Sequence, residues 1–252
     1  MKTKKITALI LALIMLLSLC ACGSQNTAPT ATETPAADTP AESEVPAAEP
    51  EEITITDMIG REVTVTPGSY KRVVCIGAGA LRMYSYIGDV SLLCGVEDID
   101  NTTLDERPKM FDSVARPYVL AFGDTFSTLP SCGVGGPNAQ AAEAEKILSC
   151  NPDIVISEYE DVDKENALQE QLGVPVITLK AGPNGVFDDA FKNTMTMLGM
   201  IFCNEEKAEK LVSFIDSEAA EITSRTAGIK DEDKPGVYIC GLGNWGTTNQ
   251  LM

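Results

Sequence analysis

The chain of 252 residues contains no histidine. That excludes a histidine-ligated zinc or manganese site, a histidine general base and a Ser-His-Asp triad. Bases are scarce: 19 Lys and Arg stand against 37 Asp and Glu, for a formal charge of −18. Binding a phosphate backbone needs clustered cations, so nucleic acid is excluded as a partner. No CxxC pair occurs among the cysteines that follow residue 22, namely Cys75, Cys94, Cys132, Cys150, Cys203 and Cys240. Cys75, Cys94 and Cys240 fall inside apolar strands and Cys203 ends an apolar helix, so they read as buried small hydrophobes. An oxidising compartment also permits disulfides, whose pairing the sequence leaves open. No apolar run is long enough to be read as a bilayer span: the stretch over 6–19 has 14 residues, where a span needs about 20. Hydrophobic residues nonetheless make up 44% of the chain, enough to form a core.

What is present has a clear order. Residues 1–22 carry a basic start (Lys2, Lys4, Lys5), then the apolar run, then the sequence LCACGS. This is a targeting signal, and Leu-x-Ala-Cys resembles the lipobox of bacterial lipoprotein signal peptides. The resemblance implies that Cys22 becomes a lipidated N-terminus, since two acyl chains give stable membrane attachment. Residues 23–52 are rich in Ala, Pro, Thr and Glu, with seven acids and no base. Such a segment cannot offset its ordering entropy by burial and reads as a disordered linker.

From residue 53 the pattern is α/β. ITIT (53–56) and EVTV (62–65) alternate with period two and predict a hairpin. RVVCI (72–76) predicts a buried strand, followed by the turn Gly77-Ala78-Gly79 and a helix over 79–87. In an open α/β sheet, that corner lies at the carboxyl end of a strand, where backbone N–H groups and the helix dipole favour an anion. A strand over 92–96 ends at Glu97, Asp98 and Asp100, and 101–138 reads as irregular. Asn138 is expected to cap a helix over 139–149. A strand over 153–157, a helix over 164–172 and a strand over 174–179 follow. Alternation at this spacing implies right-handed βαβ units and a mainly parallel sheet. Phe191, Met195, Leu198 and Phe202 share one helical face. Asn204 is expected to cap a long amphipathic helix with apolar positions at Ala208, Leu211, Val212, Ile215, Ala219 and Ile222. A strand over 237–240 then runs into the glycine-rich loop 241–246.

Three stretches together carry a resemblance. They are TDMIGREV (56–63) with KRVV (71–74); GALRM (79–83) with Tyr86-Ile87-Gly88 and Gly95-Val96; and EKIL (145–148) with NPDIV (151–155). In this order they are similar to the iron-complex class of periplasmic-type substrate-binding proteins, which serve ABC importers for ferric siderophores, haem and cobalamin. The resemblance implies two α/β lobes joined by a rigid helix, with the ligand between them. It divides the chain into an N-terminal lobe (53–187), a helical connector (188–229) and the start of a C-terminal lobe (230–252), whose remainder is expected to be missing. It implies a monomer held on the extracytoplasmic face of the cell membrane. Its partners would be the permease and ATPase subunits and a transported iron complex or corrinoid, with no catalytic residue, cofactor or resident metal.

Carried onto this sequence, the resemblance offers Gly77, Gly79, Arg82, Arg116, Tyr118, Gly135, Gly136, Asn138 and Tyr159 as ligand contacts, with Trp245 across the cleft. Arginines and aromatic faces suit anionic ferric complexes. Glu97 and Glu158 are offered at the same ligand-binding strand ends, with a second role as acids that pair with permease arginines. Each has a plainer reading: Arg82 as a solvated helix charge, Arg116 and Tyr118 as surface loop, the acids as solvated carboxylates. The competing functions are a surface α/β enzyme binding a nucleotide at the Gly77–Arg82 turn, or a fragment that binds nothing. Against the first, the dinucleotide fingerprint has Arg82 where its third glycine belongs.

Overall fold

A computed structural model describes residues 51–136, 139, 141–236, 240–243 and 246–251. Cys22, residues 23–50 of the linker, Asn138, Trp245 and the strand expected over 237–239 lie outside the described residues.

The hairpin forms as expected from β1 (Ile53–Thr56) and β2 (Glu62–Val65), antiparallel with Ile53 opposite Val65. Its turn is anchored by a buried ion cluster. Asp57, Arg61 and Glu165 are only 4%, 5% and 2% exposed. Asp57 Oδ1 accepts the Arg61 backbone N–H at 2.9 Å, and Oδ2 accepts that of Thr178 at 3.3 Å. The Arg61 guanidinium reaches past the hairpin to the Val176 carbonyl at 2.9 Å and to Gln169 Oε1 at 3.1 Å. The conspicuous run TDMIGREV is therefore a docking device: it ties the hairpin to the edge of the main sheet.

That sheet is parallel throughout, in the order β5-β4-β3-β6-β7. Its members are β3 (Val73–Ile76), β4 (Leu93–Glu97), β5 (Ser131–Gly133), β6 (Ile154–Ser157) and β7 (Val176–Thr178). Side chains alternate between two cores. Val73, Cys75, Ile154, Ile156 and Ile177 face α1 (Ala80–Ile87), α2 (Pro117–Phe126) and α5 (Asp189–Ile201). Val74, Ile76, Val155 and Val176 face α3 (Ala144–Ser149) and α4 (Val162–Leu172). Helices thus cover both faces, which is why the strands read as continuous apolar runs.

Four expectations need correction. The stretch 101–138 is not wholly irregular: it holds α2 and β5. The helix starts on Pro117, whose fixed φ suits a first turn, and Val119, Phe122 and Phe126 give it a buried side. The next helix begins at Ala144 rather than 139, because Glu143 is spent on a loop contact, accepting the Val134 N–H at 2.6 Å. Cys203 is exposed, in the left-handed region (φ 51), where the chain reverses after α5. Residues 241–243 are not loop: β8 (Cys240–Gly243) pairs with β9 (Gly246–Leu251), with Gly243 opposite Gly246 at the closed end.

The long helix α6 (Glu205–Thr226) has 22 residues, about 33 Å. Asn204 precedes it without a side-chain cap; its amide donates instead to the Ile87 carbonyl at 3.2 Å. Only Ala208 and Ile215 of α6 are buried, and Phe214 and Ile222 are exposed. Among the described residues no helix is long and apolar enough to cross a membrane.

Replacing Arg61 by Ala would leave Asp57 and Glu165 buried without their cation. The expected loss is about 3–5 kcal/mol, read as a lower urea midpoint, with Arg61→Lys recovering only part because it cannot fork its hydrogen bonds.

Candidate functional site

The central strand β3 has β4 on one side and β6 on the other. The helix after β3 packs on one face of the sheet and the helix after β6 on the opposite face. The carboxyl ends of β3 and β6 therefore part above the sheet, at the switch point where open α/β sheets bind ligands.

Three chain segments meet there. Gly77 and Gly79 take φ of +89° and +125°, and the Gly79 N–H donates to the Gly77 carbonyl at 2.9 Å to close the turn. The backbone needs glycine for space as well. A Cβ on Gly79 would lie 2.6 Å from Glu158 Oε2. Glu158 itself is fixed by its N–H, which donates to the Ile76 carbonyl at 3.1 Å.

Glu97, the last residue of β4, is 6% exposed and accepts the Gly77 N–H at 3.1 Å. Burial pushes its carboxyl up to about 7, with Asp100 and Glu143 adding repulsion. Burial likewise pushes Glu158 up to about 7, against the pull of Arg82. Its Oε2 is buried and has no hydrogen-bond partner among the described residues. Two carboxyls thus flank the glycine corner, one on each side.

A cavity of about 280 Å³ opens beside this corner, lined by Gly77, Gly79, Arg82, Glu97, Arg116 and Tyr118, with Phe111 and Val114 as apolar wall. Its two arginines differ. Arg116 is committed: Nη1 donates to Asp100 Oδ1 at 2.6 Å and Nη2 to the Ile99 carbonyl at 3.1 Å. The Tyr118 hydroxyl donates to the same Asp100 oxygen at 2.8 Å. Burial raises Asp100, and these two donors counter it. The Arg82 side chain makes no hydrogen bond and no ion pair within 4.0 Å among the described residues; its carbonyl accepts the Ser85 hydroxyl at 2.7 Å. It is the cavity's free cation.

The sequence-expected residues divide accordingly. Gly77, Gly79, Arg82, Arg116, Tyr118 and Gly136 come together on this cavity. Gly135 packs behind it, where a Cβ would lie 2.6 Å from Glu97 Cβ. Tyr159 turns away. It lines a separate cavity of about 360 Å³ between α3 and α4, whose lysine, Lys164, is paired with Asp161 at 3.3 Å. Of the two acids, Glu97 is inside, and Glu158 is half-buried with its carboxylate against Gly79. The sequence already offered both acids at the strand ends; what it did not reveal is their burial against the glycine corner. The available signal was an acid placed at the carboxyl end of each of two strands, in VED and SEY. Among the described residues no cluster of cysteines or acids is arranged to hold a metal.

A family model described as periplasmic binding protein matches residues 73–248. Comparison with curated proteins finds no match. Among solved structures, the chain is similar to the molybdate-bound periplasmic binding protein MolA of Haemophilus influenzae, at 16% identity and a TM-score of 0.55 over 75% of this chain and 58% of that one. It is similar to the petrobactin-binding protein YclQ of Bacillus subtilis, at 19% identity and 0.52 over 71% and 55%. A periplasmic solute-binding protein of Veillonella parvula matches at 18% identity and 0.52 over 72% and 50%. The chain thus spans between half and three-fifths of the length of these structures.

The two raised carboxyls predict a stability profile. From the ordinary value of 4.5 up to about 7, the folded chain holds protons that the unfolded chain has released. Their favourable contribution is complete below about pH 4.5 and is lost as pH rises through 7. Urea midpoints should therefore fall from pH 5 to pH 8. Glu97→Gln should remove part of that fall, raising stability at pH 8 by about 1–3 kcal/mol.

Proposed function

The chain belongs to the periplasmic binding protein family, and on that footing we propose that it captures an anionic iron complex for an ABC importer. The family is one of extracytoplasmic binding proteins that partner a permease and an ATPase, so the activity is capture and delivery rather than catalysis. The observation that carries the ligand class is Arg82: an unpaired guanidinium on the wall of a cavity at the sheet's switch point. Such a group stays charged at any physiological pH and offers donors to carboxylate, catecholate or phenolate oxygens. Tyr118, Phe111 and Val114 give the same cavity apolar and aromatic surface for an organic chelator.

In this reading, residues 53–187 form one lobe, α6 belongs to a connector over 188–229, and 230–252 begin a second lobe. Asn138 and Trp245 complete the ligand contacts, Trp245 from the opposite wall. A helix such as α6 resists hinge bending, so capture proceeds with little closure. Cys22 carries the lipid that holds the protein on the outer face of the membrane, and residues 23–52 are its tether.

Titration calorimetry with a ferric triscatecholate, ferric citrate, haem and cobalamin tests the ligand class. Saturable binding of an anionic ferric complex is expected, weakened about tenfold or more by Arg82→Gln, the loss of one charged hydrogen bond. No binding of any of the four sinks the proposal. For the anchor, Cys22→Ser is expected to move the protein from the membrane fraction to the soluble one; unchanged partition rejects lipidation at that residue.

A further inference from the structure

An anion site that is walled by carboxylates presents a physical conflict. Arg82 and Arg116 face Glu97, Asp100 and Glu158 around one corner. With all three acids ionised, the group sums to −1 and repels an anion. With Glu97 and Glu158 protonated, it sums to +1. Asp100 is not the variable member, because Arg116 and Tyr118 both donate to its Oδ1. Glu97 and Glu158 have no such partners. Glu97 has a single donor, the Gly77 N–H, and Glu158 has none among the described residues.

We infer that Glu97 and Glu158 make the corner a proton-gated anion site: an anionic ligand reaches the Gly77–Arg82 turn when both carboxyls carry protons, and binding draws those protons from solvent. This rests on the ligand class proposed above. Protonated Glu97 lines the cavity with a hydroxyl that can donate to a ligand oxygen, which its ionised form cannot do. Protonated Glu158 no longer offsets the charge of Arg82 beside the corner.

The surroundings of both groups act in the same direction. Around Glu97 stand Asp98 and Asp100 after β4, Glu143 before α3, Arg116 before α2, Cys75 of β3, Cys132 of β5 and Tyr159 after β6. The cations of that shell are both held: Arg116 by Asp100 at 2.6 Å and Lys146, on α3, by Glu143 at 2.9 Å. Around Glu158 stand Arg82 of α1 and Glu160. Both carboxyls are raised to about 7, chiefly by burial, so the gate works near neutral pH. An incoming anion raises them further, which makes proton uptake part of binding.

The test is calorimetry on the full chain at pH 6, 7 and 8, in two buffers of different ionisation enthalpy. The probes are an anionic ferric triscatecholate and a neutral ferric trishydroxamate. Each carboxyl is expected to contribute about a tenfold loss of triscatecholate affinity from pH 6 to pH 8, so about a hundredfold in the wild type. Proton uptake should accompany binding. Glu97→Gln and Glu158→Gln should each lose about a tenfold share of the pH dependence, and the double variant should be nearly flat. The trishydroxamate should show a smaller loss. A flat wild-type profile overturns the inference, as does a wild-type slope retained by the double variant, or equal losses for the two probes. Binding of the neutral complex alone at pH 6 overturns the gate and leaves the transport reading standing. Binding of neither overturns both.

Discussion

The structure depends on a strand without a free edge. Every residue of β3 is buried, and the strand is hydrogen-bonded to β4 on one side and β6 on the other. A strand covered on both faces is apolar on both, and its two neighbours run parallel to it. The chain leaves β3 to one face of the sheet and leaves β6 to the other. The gap between those two exits follows from the topology, and the cavity opens beside it, over the carboxyl ends of β3 and β4. The hairpin, the Arg61 cluster and the helical layers make this arrangement rigid from outside.

Rigidity at the gap has an electrostatic cost. Glycines at 77 and 79 let β3 turn within reach of two acids, and the same tight packing strips water from those acids. A side chain at either glycine would run into Glu158. The closeness that disfavours the ionised carboxyls is therefore the closeness that shapes the site. Stability and the shape of the corner share a cause here, because the packing that forms the turn also desolvates the carboxyls.

Much of the fold was legible in the sequence because a parallel sheet advertises itself. VVCI, DIVIS and the helix of Ala208 and Ile215 carry periods that have no other reading. Segments stabilised by partners distant in the chain were harder to read. Helix α2 contains Gly123 and has no capping side chain, so only its packing through Val119 and Phe126 reveals it. The late start of α3 depends on Glu143 reaching the Val134 N–H, a contact that composition does not encode. At the site, Gly77, Gly79 and Arg82 were legible because a glycine turn after a buried strand has few uses. Glu97 and Glu158 looked like two more acids in a chain with 37 of them. Their importance lies in burial, which requires the third dimension.

One feature of the core bears on how the protein comes into being. Cys75, Cys94, Cys132 and Cys150 are free thiols sealed within the β3–β4–β5 side of the sheet, and burial pushes each of them up. In the finished fold they are protonated and out of reach, hence inert. Before the sheet closes, the same sulfurs are open to an oxidising compartment, the setting of this extracytoplasmic family. Closure of the sheet is the step that takes all four sulfurs out of reach of cross-linking.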